Sequence, residues 1–252
     1  MVHFVGAGCG APDLITLRGM KLLEQADVII YAGSLVNPAL LQYAKPSCEI
    51  HNSALMHLDE IIDVMTQAEA AGRMTVRLHT GDPCLFGALR EQTDRLNALG
   101  IPYDVCPGVS SFCGAAAALG AEYTLPDVSQ TVIITRMAGR TAVPEREDIA
   151  GLAAHGATMV IFLSAGMTGE LSRRLTEGGY APDCPAAIVY KASWPDEKVC
   201  RCTVASLAET AARENIHKTA LICVGHFLGD DYALSKLYDR HFATGYREAA
   251  PQ

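Results

Sequence analysis

Short apolar runs alternate with amphipathic stretches along the first half of the chain. The apolar runs predict buried strands at 2–7, 27–32, 48–51, 74–79 and 103–107. The stretches between them repeat their apolar residues at the helical period and predict helices at 12–26, 38–44, 57–72 and 84–99. A further alanine-rich helix follows Pro107. The first half is therefore predicted to consist of repeated strand–helix units.

The same alternation begins again at residue 131. Strands are predicted at 131–136, 158–165, 186–192, 198–204 and 219–225, and helices at 145–155, 167–178 and 205–215. One more helix is predicted after Asp230. Continuous apolar strands that alternate with helices are typical of parallel or mixed sheets covered by helices on both faces. The fold class is therefore α/β, with two α/β lobes and mixed sheets.

An irregular stretch at 121–130 separates the two series of elements. The predicted division is an N-terminal lobe at 1–120, a C-terminal lobe at 121–230 and a tail at 231–252. The chain has 252 residues, half of them apolar, which is enough for two lobes of ordinary size. This length and composition agree with the two-lobe prediction.

Charge and hydropathy exclude two classes of partner. The net charge of −8 argues against nucleic acid, because phosphate binding needs a basic face. No run of 18 apolar residues is present, so no membrane span is expected. The first residues have no basic flank and are not typical of a secretion signal. We expect a cytoplasmic location and a small-molecule substrate.

The nine cysteines and eight histidines are scattered along the chain. No C-x-x-C pair occurs, and no pair of histidines has the H-E-x-x-H spacing, so no metal site is expected. Cys200 and Cys202 are two residues apart and are predicted to share one face of a strand. The cysteines are expected to be reduced thiols, most of them buried.

The loop after the first strand, GAGCGA at 6–11, resembles part of a dinucleotide-binding turn. Gly6, Gly8 and Ala11 match the glycine pattern, which keeps a nicotinamide-dependent oxidoreductase open as an alternative. The second predicted strand, however, has no acidic residue at its end to bind the ribose. Asp13 also lies in the next turn, where its carboxylate competes with a phosphate for free N–H groups. The dinucleotide interpretation is therefore disfavoured.

Two more turns with glycine follow predicted strands, HTGDPCLFG at 79–87 and PGVSS at 107–111. Asp82 followed by Pro83 is typical of a helix N-cap and first helical residue, and Ser110 or Ser111 is a candidate cap of the next helix. Ligands of open α/β folds bind at the carboxyl ends of the strands. The three turns together predict a ligand held by backbone groups at that edge.

The stretches VGAGCGAPDLITLRG, HTGDPCLFG and PGVSS, in this order and spacing, resemble the tetrapyrrole methylase family of S-adenosylmethionine-dependent methyltransferases. The stretches MHLDE (56–60), TRMAGRTAVPE (135–145) and VYKASWPDEKV (189–199) narrow the resemblance to the corrin-pathway members. The similarity covers about residues 2 to 228. The chain departs from the family at Cys9, where the loop usually has proline.

The resemblance implies two lobes that bind the methyl donor S-adenosylmethionine in the cleft between them, usually in a homodimer. It implies that the donor contacts are Cys9, Thr80, Gly81, Asp82, Leu85, Ser110, Ser111, Leu163 and Ala192, the last two from the second lobe. It also implies that Gly8 and Gly10 lie beside a tetrapyrrole substrate. Such a substrate carries many carboxylates, for which Arg136, Arg140 and Lys191 are the candidate partners.

Methyl transfer from a sulfonium to carbon requires alignment of the reactants and exclusion of water, and needs neither a catalytic triad nor a metal. His79, Asp82 and Glu122 are candidates for handling a proton, and the sequence does not select one of them. Trp194 is predicted either to stack on the macrocycle or to anchor its loop. A methyltransferase of the same fold that acts on another tetrapyrrole position or on a macromolecule stays open as an alternative.

Overall fold

The structure, a computed structural model, describes residues 1–250 and separates into two compact units. The first unit holds Met1–Ala115 with Lys191–Glu197, and the second holds Ala116–Tyr190 and the residues from Lys198 onward. Segment 191–197 groups with the first unit because Ser193 and Trp194 contact the loop at 6–11. The sequence interpretation assigned Lys191 and Ala192 to the second lobe, whereas both residues group here with the first unit.

The sheet of the first unit has five strands, all parallel, in the order β3-β2-β4-β1-β5. The strands are β1 (Val2–Gly6), β2 (Val28–Tyr31), β3 (Glu49–Asn52), β4 (Thr75–His79) and β5 (Tyr103–Cys106). Each predicted strand is confirmed to within one or two residues. Of the parallel and mixed sheets that the sequence predicts, this unit has the parallel one, because a helical or irregular crossover connects each strand to the next.

The helices of this region are α1 (Leu17–Gln25), α2 (Leu58–Ala70), α3 (Leu89–Ala98) and α4 (Ser111–Leu119). The first begins later than predicted because the Thr16 hydroxyl accepts the Gly19 N–H and caps it, and Pro12–Leu14 form a separate 3-10 turn. The predicted helix at 38–44 is the 3-10 helix Pro38–Tyr43. The helix predicted at 84–99 begins only at Leu89.

Apolar side chains cover both faces of the parallel sheet. On one face Val5, Ile29 and Leu78 belong to one buried cluster. On the other, Phe4 and Ile30 pack with residues of α2 and α3. Because both faces are covered, ligands have access to this sheet at its edges, and the carboxyl ends of the strands carry the glycine turns.

The sheet of the second unit has the strand order β6-β7-β10-β8-β9. Its strands are β6 (Val132–Arg136), β7 (Thr158–Phe162), β8 (Pro185–Tyr190), β9 (Lys198–Thr203) and β10 (Ala220–Val224). The first pair is parallel and the other pairs are antiparallel, so the prediction of a mixed sheet is confirmed here. Its helices are α5 (Ile149–Ala153), α6 (Thr168–Glu177) and α7 (Leu207–Arg213).

The C-terminal segment contains no α-helix between 230 and 250, so the helix predicted after Asp230 is wrong. Only a 3-10 turn, Lys236–Tyr238, forms there. The Arg247 guanidinium organises the segment by donating to the backbone oxygens of Leu237, Asp239 and Phe242. The division into lobes at 1–120 and 121–230 with a tail at 231–252 stays a prediction, and the last two residues of that tail lie outside the described residues.

Two remaining expectations concern cysteines and membranes. All nine cysteines are free thiols. Cys200 and Cys202 both pack against the core of the second unit, which confirms that they share a strand face. Four of the nine are buried, three are half-buried, and Cys84 and Cys113 are exposed, so the expectation that most would be buried is wrong. Among residues 1–250, no helix is both long and apolar enough to cross a membrane.

Candidate functional site

Three glycine turns meet at the carboxyl edge of the parallel sheet. The N–H of Gly8 donates to the Gly81 oxygen at 3.2 Å, and the Gly81 N–H donates back to the Gly8 oxygen at 3.0 Å. A Cβ on Gly6 would lie 2.5 Å from the Gly108 Cα. The turns meet because β4, β1 and β5 are neighbours and all end at this edge. Only glycine allows the backbones to approach this closely.

Asp82 joins the turn after β4 to the turn after β5. Its Oδ1 accepts the Cys84 N–H at 2.8 Å, and its Oδ2 accepts the Gly108 N–H at 2.8 Å. Partial burial raises the pKa of Asp82, but hydrogen bonds from Cys84 and Gly108 outweigh it, and the net pKa lies below its usual value. The carboxylate is therefore ionised at neutral pH.

The prediction that Asp82 caps a helix is wrong. The residues from Pro83 to Ala88 form a turn, in which Phe86 and Ala88 have φ values of 53° and 48°. The helix that follows has Ala88 at its N-cap and no side-chain cap. The Asp-Pro pair is compatible with both a helix start and a turn. The turn forms here, with the Asp82 carboxylate accepting the Gly108 N–H.

The other residues of the first unit that are predicted to contact the methyl donor lie in or beside these turns. A Cβ on Gly81 would lie 3.4 Å from the Ser110 Cα and 3.4 Å from the Ser111 nitrogen. The Leu85 N–H donates to the Asp82 backbone oxygen at 3.3 Å, and Thr80 lies between β4 and this turn. The structure thus brings the predicted residues 80–85 and 110–111 together at one edge.

His79 and Arg77 are buried in β4, below this edge. The Arg77 Nε donates to the Gln92 Oε1 at 2.9 Å and its Nη1 to the Ile30 oxygen, while burial lowers its pKa to about 10. Burial, and then the charge of Arg77, lower the pKa of His79 to about 3. Its Nε2 has no hydrogen-bond partner among the described residues. His79 is therefore a neutral imidazole at physiological pH.

Residues 191–197, here named the strap, pack against the glycine loop (residues 6–11). The Ser193 hydroxyl accepts the Ala11 N–H at 2.9 Å and lies 3.4 Å from the Cys9 sulfur. A Cβ on Gly10 would lie 2.5 Å from the Trp194 Nε1. Trp194 therefore anchors the strap on the loop. Ala192 is buried within the same segment.

Lys191 is engaged within the strap. Its Nζ lies 2.6 Å from the Asp196 Oδ2 and 5.1 Å from the centre of the Trp194 ring. The hydrogen bond to Lys191 lowers the pKa of Asp196. A substrate carboxylate at this ammonium would have to compete with Asp196.

The predicted site residues of the second unit lie where β6 and β7 end in parallel. The Arg136 guanidinium donates to the backbone oxygens of Met137, Thr141 and Ala142 at 2.7 to 3.2 Å. It thereby folds the turn that carries the exposed Arg140. Neither arginine has an ion-pair partner among residues 1–250.

Leu163 follows β7 with its φ at 53°, and it is 60% exposed. An apolar side chain in the left-handed region costs free energy, and such residues concentrate at functional sites. The turns after β6 and β7 are joined by Ser164, whose hydroxyl accepts the Met137 N–H at 3.0 Å. Glu122, by contrast, is exposed, and its carboxylate accepts the Thr124 hydroxyl.

Sequence reasoning missed two residues that hold the glycine loop, Asn37 and Ser193. The buried Asn37 donates from Nδ2 to the Gly10 oxygen at 2.9 Å while its Oδ1 caps the 3-10 helix Pro38–Tyr43. The Asn37-Pro38 pair predicts the cap, but it does not predict the hydrogen bond from Asn37 to Gly10. Ser193 lies 182 residues from Ala11, and no local pattern signals the bond between them.

The arrangement has the features of a binding site built largely from backbone turns. Backbone groups from three glycine turns line the edge, and the buried His79 there is neutral, with no hydrogen-bond partner for its Nε2 among the described residues. The ordered turns suit positioning rather than nucleophilic catalysis.

Comparisons with known proteins agree with this chemistry. Residues 1–208 match the family model of the tetrapyrrole (corrin/porphyrin) methylases. The chain is 54% identical to the cobalt-precorrin-4 C(11)-methyltransferase of Methanocaldococcus jannaschii, over 98% of this chain and 96% of that protein. It is 43% identical to the precorrin-4 C(11)-methyltransferase of Pseudomonas aeruginosa, over 98% of each.

Solved structures give the same picture. The X-ray structure of the cobalt precorrin-4 methyltransferase CbiF superposes with a TM-score of 0.89 at 45% identity, covering 91% of this chain and 96% of that one. A uroporphyrin-III C-methyltransferase from Thermus thermophilus, complexed with S-adenosyl homocysteine, gives 0.75 at 26% identity, covering 90% and 92%. The α/β fold class is confirmed.

Proposed function

Since the chain belongs to the tetrapyrrole methylase family, we propose that it transfers the methyl group of S-adenosylmethionine to C-11 of precorrin-4 or cobalt-precorrin-4, giving the precorrin-5 stage of cobalamin biosynthesis. The observation that carries this proposal is the nearly full-length identity of 43–54% to relatives named for that reaction. These relatives are methyltransferases, so the oxidoreductase alternative is set aside.

S-adenosylmethionine supplies a methyl group already activated on a sulfonium. The residues present fit this donor, because three glycine turns meet at the carboxyl edge of the parallel sheet, where ligands of such sheets bind. In the first unit the donor contacts are Cys9, Thr80, Gly81, Asp82, Leu85, Ser110, Ser111 and Ala192, and in the second unit Leu163. The exposed left-handed Leu163 supports its assignment, since a ligand accounts for both its exposure and its backbone conformation.

The tetrapyrrole lies beside Gly8 and Gly10 and meets basic side chains with its carboxylates. Arg140 is exposed and without an ion-pair partner in the described chain, so it is the leading partner of a carboxylate. Arg136 contributes charge while it shapes the turn. Lys191 takes part once its ammonium leaves Asp196.

Alignment is the main contribution of the protein to this reaction. Holding two reactants in line is worth roughly 7–11 kcal/mol. Asp82 serves it indirectly, because its ionised carboxylate ties two donor-binding turns together. His79 stays neutral and places no second cation beside the sulfonium.

The experiment is incubation of the purified protein with precorrin-4 and with cobalt-precorrin-4, together with donor labelled with ¹³C in its methyl group. The expected product has gained one methyl, and carbon NMR places the label at C-11. Absence of any methylated product contradicts the proposal.

A second candidate is methylation at another position of the tetrapyrrole. It is favoured by 34% identity to the uroporphyrinogen-III C-methyltransferase of Bacillus subtilis over 92% of this chain. The same NMR experiment distinguishes the two, because the label would then appear at a different ring carbon.

We also propose that the enzyme is a cytoplasmic homodimer. Nine free thiols support a reducing compartment. The dimer follows from the family resemblance alone. Sedimentation equilibrium tests it, and a monomer mass at micromolar concentration contradicts it.

A further inference from the structure

Ser193 connects the strap to the glycine loop. Its hydroxyl accepts the Ala11 N–H at 2.9 Å and stands 3.4 Å from the Cys9 sulfur. The loop is held at its other end by β4, because the Ala7 N–H donates to the His79 oxygen at 2.7 Å. The backbone between these two ends contains Gly8 and Gly10, whose φ values are 82° and 156°. Such a backbone has wide conformational freedom unless its ends are fixed.

The strap itself is held in one conformation. Lys191 and Ser193 have φ values of 46° and 65°, which non-glycine residues adopt only where their surroundings enforce it. The Ser193 N–H donates to the Glu197 carboxylate at 2.5 Å, and the Trp194 N–H donates to the Lys191 oxygen at 3.0 Å. The Ser193 hydroxyl is therefore presented to the loop from a fixed support.

We propose that Ser193 is a positioning residue, which fixes the Gly8–Gly10 backbone through the Ala11 N–H in the conformation that receives the tetrapyrrole. This inference rests on the proposed function, which puts the glycine loop beside that substrate. Ser193 acts more strongly on tetrapyrrole affinity than on donor affinity, because Asp82 holds most of the proposed donor contacts through separate hydrogen bonds. Of the proposed donor contacts, Cys9 and Ala192 lie beside Ser193.

The test compares Ser193→Ala with Ser235→Ala as a matched control. The Ser235 hydroxyl also accepts a backbone N–H, that of Leu237, in the C-terminal segment. For Ser193→Ala the expected result is a five- to twenty-fold rise in the KM for the tetrapyrrole. The expected rise in the Kd for S-adenosylhomocysteine is several times smaller than the rise in KM, and Ser235→Ala changes neither. Equal losses of both affinities, or an unchanged KM, overturn the proposal.

Two further measurements keep the test independent of folding and of the substrate. Ser193→Gly removes the hydroxyl and relieves the left-handed backbone, so the same KM rise in this variant assigns the effect to the hydroxyl. Hydrogen exchange at the Ala11 amide should accelerate at least ten-fold in both Ser193 variants. If the wild-type protein methylates no tetrapyrrole, the proposed function fails, whereas an unchanged Ala11 exchange rate overturns the positioning role on its own.

Discussion

The Asp82 carboxylate accepts the Gly108 N–H at 2.8 Å, and this bond joins the turns that follow two strands of the parallel sheet. We predict that Asp82→Ala weakens S-adenosylhomocysteine binding at least ten-fold, because both turns lose their common acceptor. Calorimetric titration measures the loss. Asp94→Ala is the control, since Asp94 pairs with Arg90 on the surface of α3. An unchanged Kd for Asp82→Ala contradicts the role of this bond.

The pH dependence of Asp82 has a defined sign. Its pKa is lowered in the folded protein, so its stabilisation is present above the unfolded pKa of about 3.9 and is lost as pH falls through the folded value. The difference in unfolding free energy between wild type and Asp82→Asn should be constant from pH 7 to 5 and shrink below about pH 4. Urea unfolding across this range measures it, and a difference that grows in acid contradicts the assignment.

The lowered pKa of His79 predicts a second, separate pH dependence of the unfolding free energy. Its folded pKa of about 3 lies below the unfolded value of about 6.5, so the unfolded state gains a proton first and the protein loses stability as pH falls below 6.5. From pH 7 to pH 5 the wild type should lose on the order of 1–2 kcal/mol more than His79→Phe. Urea unfolding at both values checks this, with the exposed His155→Phe as a control that should behave as wild type.

Gly10→Ala tests the contact between the glycine loop and the strap. The new Cβ would lie 2.5 Å from the Trp194 Nε1 at a φ of 156°, so the loop must move. Gly100→Ala is the control, because Gly100 has a φ of 67° and open space beyond its Cα. The control should cost about 1–2 kcal/mol of stability. Gly10→Ala should cost more and also raise the tetrapyrrole KM; equal effects of the two variants argue against the contact.

Arg140→Ala tests whether the turn after β6, which carries Arg140, binds a carboxylate of the tetrapyrrole. Loss of a charge-assisted contact should raise the tetrapyrrole KM about ten-fold, while donor affinity stays within two-fold. Arg146→Ala removes an exposed arginine beside Glu147 and serves as the control. Steady-state kinetics and calorimetry measure the two affinities. Equal loss of both, or of neither, contradicts the assigned role.

The strands were predictable because their apolar runs are continuous, and the meeting of the glycine turns follows once the strands are parallel. The start of α3 at Leu89 was not predictable, since Asp82-Pro83 fits a helix cap locally and only the distant Gly108 N–H shows otherwise. The attachment of the strap was equally hidden. The Ser193 hydroxyl accepts the N–H of Ala11, which lies 182 residues away in the sequence, and a contact over this separation forms only in the complete fold.

Cys84 and Cys113 are the exposed thiols among the nine cysteines, and each is close in sequence to residues assigned to the methyl donor. A hydrogen bond to Asp82 raises the pKa of Cys84, and burial raises that of Cys113, so both thiols become more reactive toward alkylating reagents as the pH is raised. On the proposed donor contacts, a fluorophore on either sulfur would lie within three residues of a donor contact. The natural sequence thus already contains two accessible labelling sites for measuring ligand-binding kinetics by fluorescence.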